Sequence, residues 1–365
     1  MKLAGAVFFT SIVVSGAACG GGDGQSGGPP DTGTPPKTWT YVPIAGNVCM
    51  NNTPTGIAVN LGTSGDLVLY MEGGGACFND KTCGSAAHQD GWPDKDGFDF
   101  DIGPYNIGVF DRNEPTNPLR DATFVFIPYC TGDVHAGSNP TGMGGRVMVG
   151  YQNVGRILDY LVPISSKVSR VIVAGSSAGG FGALINYDRA ANRFAPTPTD
   201  LIDDSGPPLS DTYMTPCLQQ QFRDAWNLNA AIPEGCTACR EPNGGGLTNA
   251  LGWLADAHPD ARLALISSTR DGTIRSFFGF GYPDCNSNGN PMEEAPFAAG
   301  IAELRDVTLA NHPNFRVYSK DSDLHVWLVR TLDEVSPDSN GSGEHLSVWL
   351  KDMLSGATPW DSVKP

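Results

Sequence analysis

VIVAGSSAGG, residues 171–180, decides how this chain is to be read. An apolar run that ends in glycine reads as a buried strand. AGGFGALINYDRAANRF (178–194), which overlaps its end, reads as a helix. G-x-S-x-G between a strand and a helix is the pattern of a nucleophile elbow. The turn is so tight that Gly175 and Gly179 must lack side chains where strand and helix nearly touch. Ser177, centred between them, is then held in a strained conformation with its hydroxyl above the sheet. The bland alternative is a glycine-rich turn that packs tightly and does nothing, so the rest of the chain has to supply partners for the serine.

Working outward, DLVLYMEGGG (66–75) and ATFVFIPYC (122–130) are apolar runs that end like buried strands feeding loops, and SRVIVAG (169–175) leads into the serine turn. ARLALISS (261–268) and NFRVYS (314–319) read as later strands. Between and after them, GRVMVGYQNVGRILDYLV (145–162) and HLSVWLKDML (345–354) carry apolar residues at helical spacing. Strands alternating with helices predict an α/β fold, a mostly parallel central sheet with helices on both faces, and the elbow pattern is the one that α/β-hydrolases carry. The cysteine-bearing stretch from Leu209 to His258 reads as an insertion in it, and residues 39–365 as one domain.

A serine nucleophile needs oxyanion donors, a base and an acid. One donor in such folds is the backbone N–H after the nucleophile, here Ala178, and the other comes from a glycine-rich loop after an early strand. Glu72-Gly73-Gly74-Gly75 follows LVLYM and supplies backbone N–H groups with no side chains in the way. Among six histidines, His88 and His135 precede Ser177 and fail the order serine, acid, histidine. His258 and His312 belong to loops entering strands, and His345 opens a helix. His325, just past NFRVYS, is the base by elimination. Asp271, just past LALISS, is the expected acid that would accept the imidazole N–H, with Asp203 and Asp204 in LIDDSGPP as rivals.

These residues carry a resemblance. Glu72-Gly73-Gly74-Gly75-Ala76-Cys77-Phe78-Asn79, then Cys83, Tyr129-Cys130 and Gly175-Ser176-Ser177-Ala178-Gly179-Gly180 resemble the pectin acetylesterase/Notum family. The resemblance runs from about residue 40 onward. It implies an α/β-hydrolase-like serine carboxylesterase with Ser177 as nucleophile, Asp271 as acid and His325 as base. Gly74, Gly75 and Ala178 would form the oxyanion hole. The Notum branch has a bulky aromatic where this chain has Gly75, which implies a differently shaped acyl pocket. Asp133 and His135, in TGDVHAG, fall near the expected mouth of the site as substrate-side or structural groups, since a lone D-x-H does not make a metal site.

Bulk properties narrow the rest. A formal charge of −16 over 365 residues leaves no phosphate-neutralising patch and argues against a nucleic-acid partner. Lys2, the apolar run LAGAVFFTSIVV and small residues before Cys19 read as a lipoprotein-type signal over 1–19, with Cys19 lipidated and 20–38 a Gly/Pro-rich tether. Ordinary secretion is the alternative. The remaining cysteines, Cys49, Cys77, Cys83, Cys130, Cys217, Cys236, Cys239 and Cys285, are an even number compatible with disulfides in an oxidising compartment; their connectivity is left open. Asp284-Cys-Asn286-Ser-Asn288-Gly289 and the acidic 94–101 stretch read as solvated turns rather than calcium loops. No metal or cofactor is called for.

The expected protein is therefore an exported monomeric esterase, tethered to a bacterial envelope only through its lipid anchor or else secreted. It would take acetyl groups from pectin or another acylated polysaccharide, or hydrolyse small esters. The rivals are a lipase-like carboxylesterase or protein-lipid deacylase, favoured by a long apolar acyl tunnel, and a non-catalytic carbohydrate-binding surface protein. Trp92 and Tyr105 would offer sugar stacking in either case, though core packing is the commoner fate.

Overall fold

Eight strands form one mixed sheet in the order β1-β2-β4-β3-β5-β6-β7-β8. The computed structural model describes residues 38–85, 106–286 and 289–365. The signal, the tether up to residue 37, Cys19, His88, Trp92, the 94–101 stretch, Tyr105 and Asn288 lie outside the described residues. β1 (Trp39–Val48), β2 (Pro54–Asn60) and β4 (Thr123–Ile127) pair antiparallel in turn. From β4 onward every neighbour is parallel: β3 (Asp66–Met71), β5 (Arg170–Ser176), β6 (Thr199–Asp204), β7 (Leu263–Ser268) and β8 (Phe315–Lys320). The sheet is the mostly parallel α/β arrangement that the alternating pattern predicts.

Strands covered on both faces need apolar residues at every position, and this explains the continuous runs. Leu67, Leu69 and Met71 of β3 join Val171 and Val173 of β5 in one core layer. Val68, Tyr70, Ile172 and Ala174 join the other. The first layer is closed by α2 (Gly150–Leu161) and α3 (Ala178–Phe194), the second by α8 (Leu346–Ser355). In α2 the buried Val154, Ile157, Leu158 and Leu161 fall on one face at spacings of three and four. That helix starts five residues later than the 145–162 pattern predicts, because Arg146 is extended and Met148 pairs with Asn139 in an isolated antiparallel bridge, so the chain ahead of Gly150 is not helical.

The remaining helices sit between the later strands and their loops. α1 (Asp80–Ser85) follows the glycine loop; α4 (Pro216–Trp226) and α5 (Asn249–Ala257) build the predicted insertion between β6 and β7. α6 (Gly272–Phe278) and α7 (Glu294–Glu303) follow β7. All eight cysteines among the described residues are paired, as Cys49–Cys130, Cys77–Cys83, Cys217–Cys285 and Cys236–Cys239. The first ties the β1–β2 turn to the end of β4, and the second fixes the chain just beyond the glycine loop.

Candidate active site

The turn at Ser177 follows from how closely β5, α3 and β3 approach. A Cβ on Gly179 would stand 1.9 Å from the Met71 carbonyl oxygen, and one on Gly175 would stand 2.1 Å from that of Gly179. Only glycine lets the three backbones meet there. Ser177 itself has φ 61° and ψ −122°, a conformation costly for any residue with a Cβ. Its amide donates to the backbone carbonyl of Asp204 at 2.7 Å, which holds the strained turn against the end of β6.

The structure brings His325 and Asp271 together. Asp271 caps α6: one carboxylate oxygen accepts the amides of Thr273 and Ile274, each at 2.9 Å. The other lies 2.7 Å from His325 Nδ1. A carboxylate so placed only accepts, so Nδ1 carries the proton and Nε2 presents a lone pair. Nε2 is buried and has no partner among the described residues. That is the protonation state a general base requires.

The rival carboxylates are placed differently. Asp203 is fully buried, takes the Gly206 amide at 2.9 Å on one oxygen, and has no partner for the other among the described residues. Burial pushes its carboxyl well above the ordinary range, in the same direction as the neighbouring Asp204 charge. Asp204 is also fully buried; its carboxylate accepts the Ser176 hydroxyl at 2.7 Å and the Trp327 and Leu328 amides at 2.8 and 2.9 Å. Burial raises its carboxyl and these donors oppose the rise. Their hydrogen bonds among the described residues go to Gly206 and to Ser176, Ser205, Trp327 and Leu328, not to the imidazole.

The glycine loop is clamped from behind. A Cβ on Gly73 would stand 2.9 Å from that of Ser177, so the loop passes directly beside the serine. Gly75 has φ +82°, a glycine conformation, and its carbonyl accepts the Tyr129 hydroxyl at 2.8 Å. The Glu72 carbonyl accepts His135 Nε2–H at 2.9 Å, and the Glu72 carboxylate takes the Tyr129 amide at 2.9 Å. Asp133 and His135 are therefore not at the mouth. They are 0% and 2% exposed, behind the loop, because Val134 and His135 both take positive φ (50° and 56°) and turn the chain inward. Desolvation lowers His135 to a pKa of about 4, so it is neutral at ordinary pH.

A cavity opens beside the serine. Ser177, Gly75 and Ala178 form part of its wall, and the rest is almost wholly apolar: Phe78, Phe181, Met214, Trp226, Trp253 and Phe277 are among the larger lining residues. Its empty space is about 970 Å³ with the open mouth included. Ile232, Cys239, Leu247 and Ala250 bring the insertion into the wall. The sequence marks an insertion here but not its part in a pocket wall. The signal was its apolar content, scattered between turns with no period that marks a pocket wall.

Two of the other described histidines are paired elsewhere. His258 Nε2 lies 2.9 Å from Asp188 and His312 Nδ1 3.2 Å from Asp256. His345 stands at the N-terminus of α8. No described helix is long and apolar enough to cross a membrane.

A family model described as Pectinacetylesterase matches residues 37–245, more than half of the chain. Among curated proteins, the palmitoleoyl-protein carboxylesterase notum2 of Xenopus laevis is 30% identical over 148 residues, 38% of this chain and 29% of that protein. The palmitoleoyl-protein carboxylesterase NOTUM of Schmidtea mediterranea is 33% identical over 132 residues, 34% of this chain and 24% of that one. The human NOTUM carboxylesterase is 31% identical over 137 residues, 34% and 26% of the two chains. The matched stretch thus spans less than a third of each of these relatives.

Proposed function

This chain belongs to the pectinacetylesterase family, and from that premise we propose that it is a carboxylic ester hydrolase working through Ser177, His325 and Asp271. The observation that carries the reading is the His325–Asp271 contact at 2.7 Å, which leaves Nε2 unprotonated and without a partner among the described residues. Ser177 attacks the ester carbonyl while His325 Nε2 takes its proton. The backbone amides of Gly74, Gly75 and Ala178 receive the oxyanion. Protonated His325 then gives its proton to the leaving alcohol, and water, activated by the same imidazole, releases the acid from the acyl-serine. Asp271 fixes the tautomer and stabilises the imidazolium.

The apolar cavity favours an acyl chain longer than acetyl, since each buried methylene is worth about 0.8 kcal/mol. The pocket therefore supports the lipase-like or lipid-deacylase reading of the acyl group over the acetyl one. Removal of acetyl from pectin or another polysaccharide remains the second reading, and the matched family description is what favours it. Export over residues 1–19 with Cys19 lipidated belongs to the same proposal, as does a single esterase domain over 39–365. Four disulfides support an oxidising compartment.

The test is labelling with a fluorophosphonate, which modifies only an activated serine, followed by peptide mapping. An adduct at Ser177 that free substrate competes away supports the proposal. An unlabelled protein, or an adduct elsewhere, contradicts it.

A further inference from the structure

Nothing in the elbow pattern explains why three of the strained residues in this protein gather around one carboxylate. Ser177, Ser205 and Val326 all take positive φ (61°, 65° and 61°), and each touches Asp204 or adjoins a residue that does. The Ser177 amide donates to the Asp204 backbone carbonyl. Ser205 follows Asp204 in the chain, and its hydroxyl donates to Asp204 Oδ1 at 3.1 Å. Val326 directly follows His325 and precedes Trp327, whose amide donates to Asp204. A β-branched residue at positive φ is an outlier that persists only where its surroundings hold it.

We infer that Asp204 is the positioning residue that locks the Ser177 turn and the His325 loop to one another. Its Oδ2 collects three donors from the two sides. Ser176, the residue before the nucleophile, gives its hydroxyl at 2.7 Å; Trp327 and Leu328, beyond the histidine, give their amides at 2.8 and 2.9 Å. Tyr70 completes the network, donating to the Ser176 hydroxyl at 2.8 Å from the strand that leads into the glycine loop. Ser177 and His325 come from segments 148 residues apart (325 − 177), and this carboxylate joins the residues flanking both. It acts through those flanks rather than on the substrate. The inference rests on the serine-esterase reading, and its task there is geometric: a misplacement of about 1 Å between reacting groups costs about 10²-fold in rate.

The test compares turnover of a p-nitrophenyl ester by the full chain, its Ser177→Ala control, Asp204→Ala and Asp204→Asn. Asp204→Ala should lower kcat about 100-fold with KM within about threefold, because the cavity is untouched while the alignment is lost. Asp204→Asn keeps an oxygen that can take the Ser176, Trp327 and Leu328 donors, so it should recover kcat to within about tenfold of wild type. A folded Asp204→Ala with wild-type kcat overturns the inference, and so does a folded Asp204→Asn as slow as the alanine variant. If Asp204→Ala does not fold, Ser176→Ala decides. It cuts the link on the serine side alone and should cost about tenfold in kcat at unchanged KM; wild-type kcat there overturns the inference. A wild type with no turnover removes the esterase reading and this inference with it. A wild type that turns over, loses activity in Ser177→Ala and keeps it in Asp204→Ala removes this inference alone.

Discussion

The carboxylate of Asp271 serves two masters: one oxygen caps α6 through the Thr273 and Ile274 amides, and the other meets His325 Nδ1 at 2.7 Å. That division makes Asp271→Asn informative. The helix cap demands an acceptor, so the amide oxygen stays with the two N–H groups and the amide nitrogen turns to the imidazole. It then donates to Nδ1, and the proton moves to Nε2, where it blocks the serine. We predict a fall in kcat of about 10⁴-fold near neutral pH. Thermal stability should change little, because the cap is kept. Steady-state rates beside a melting curve check both halves.

The close approach at the elbow gives a stability prediction. Gly179→Ala would put a methyl 1.9 Å from the Met71 carbonyl oxygen, a backbone atom that cannot swing aside. The expected loss is about 3 kcal/mol, read from urea unfolding. Gly84, inside α1 and with no described atom within 4 Å of its added Cβ, is the contrast. Gly84→Ala should be neutral or stabilising by up to about 1 kcal/mol.

His135 links stability to pH. Its folded pKa, about 4, lies below the ordinary 6.5 because the ring is desolvated. Above pH 6.5 both states leave the ring neutral and nothing changes. As pH falls from there, the unfolded chain takes up a proton that the folded one refuses, so stability is lost until about pH 4. The full effect is about 3 kcal/mol. Buried carboxyls such as Asp203 titrate in the opposite sense, so the comparison must be with His135→Gln, which keeps a donor for the Glu72 carbonyl. The variant should lack this slope between pH 6.5 and 4. Parallel stability–pH curves for the two proteins would contradict the assignment.

Much of this was legible in the chain, and the reasons differ by element. β3, β5, β7 and β8 are buried on both faces, so their apolar runs announce them. α3 starts where the glycines of the elbow say it must. β1 and β2 were not legible: Pro43 and Gly46 interrupt β1, and its register with β2 shifts between Pro43 and Val48. β6 was seen only as a short apolar run before two aspartates, because Asp200, Asp203 and Asp204 mask its buried character. Choosing between Asp204 and Asp271 needed the strand ends in three dimensions; both follow apolar runs, and only geometry puts one at the imidazole and the other at the amides beyond it. The placement of Asp133 and His135 depended on two successive left-handed residues, which no pattern in TGDVHAG declares.

The cavity wall supplied by the insertion predicts acyl-chain selectivity. Rates along a series from p-nitrophenyl acetate to octanoate should rise by up to about fourfold per methylene, the equivalent of 0.8 kcal/mol. Ala250 lines the cavity from α5, and Ala250→Trp should fill part of it. The octanoate rate should then fall at least about tenfold while acetate hydrolysis is unchanged. A wild type that prefers acetate would favour the polysaccharide deacetylase reading.

The measurement that bears most directly on the account is ester hydrolysis by the wild-type protein beside Ser177→Ala, with both confirmed folded by circular dichroism. The account predicts turnover in the first and a loss of about 10⁴-fold or more in the second. Equal rates in the two proteins, or a folded wild type that hydrolyses no ester in the series, would contradict it and leave a non-catalytic binding protein as the better description.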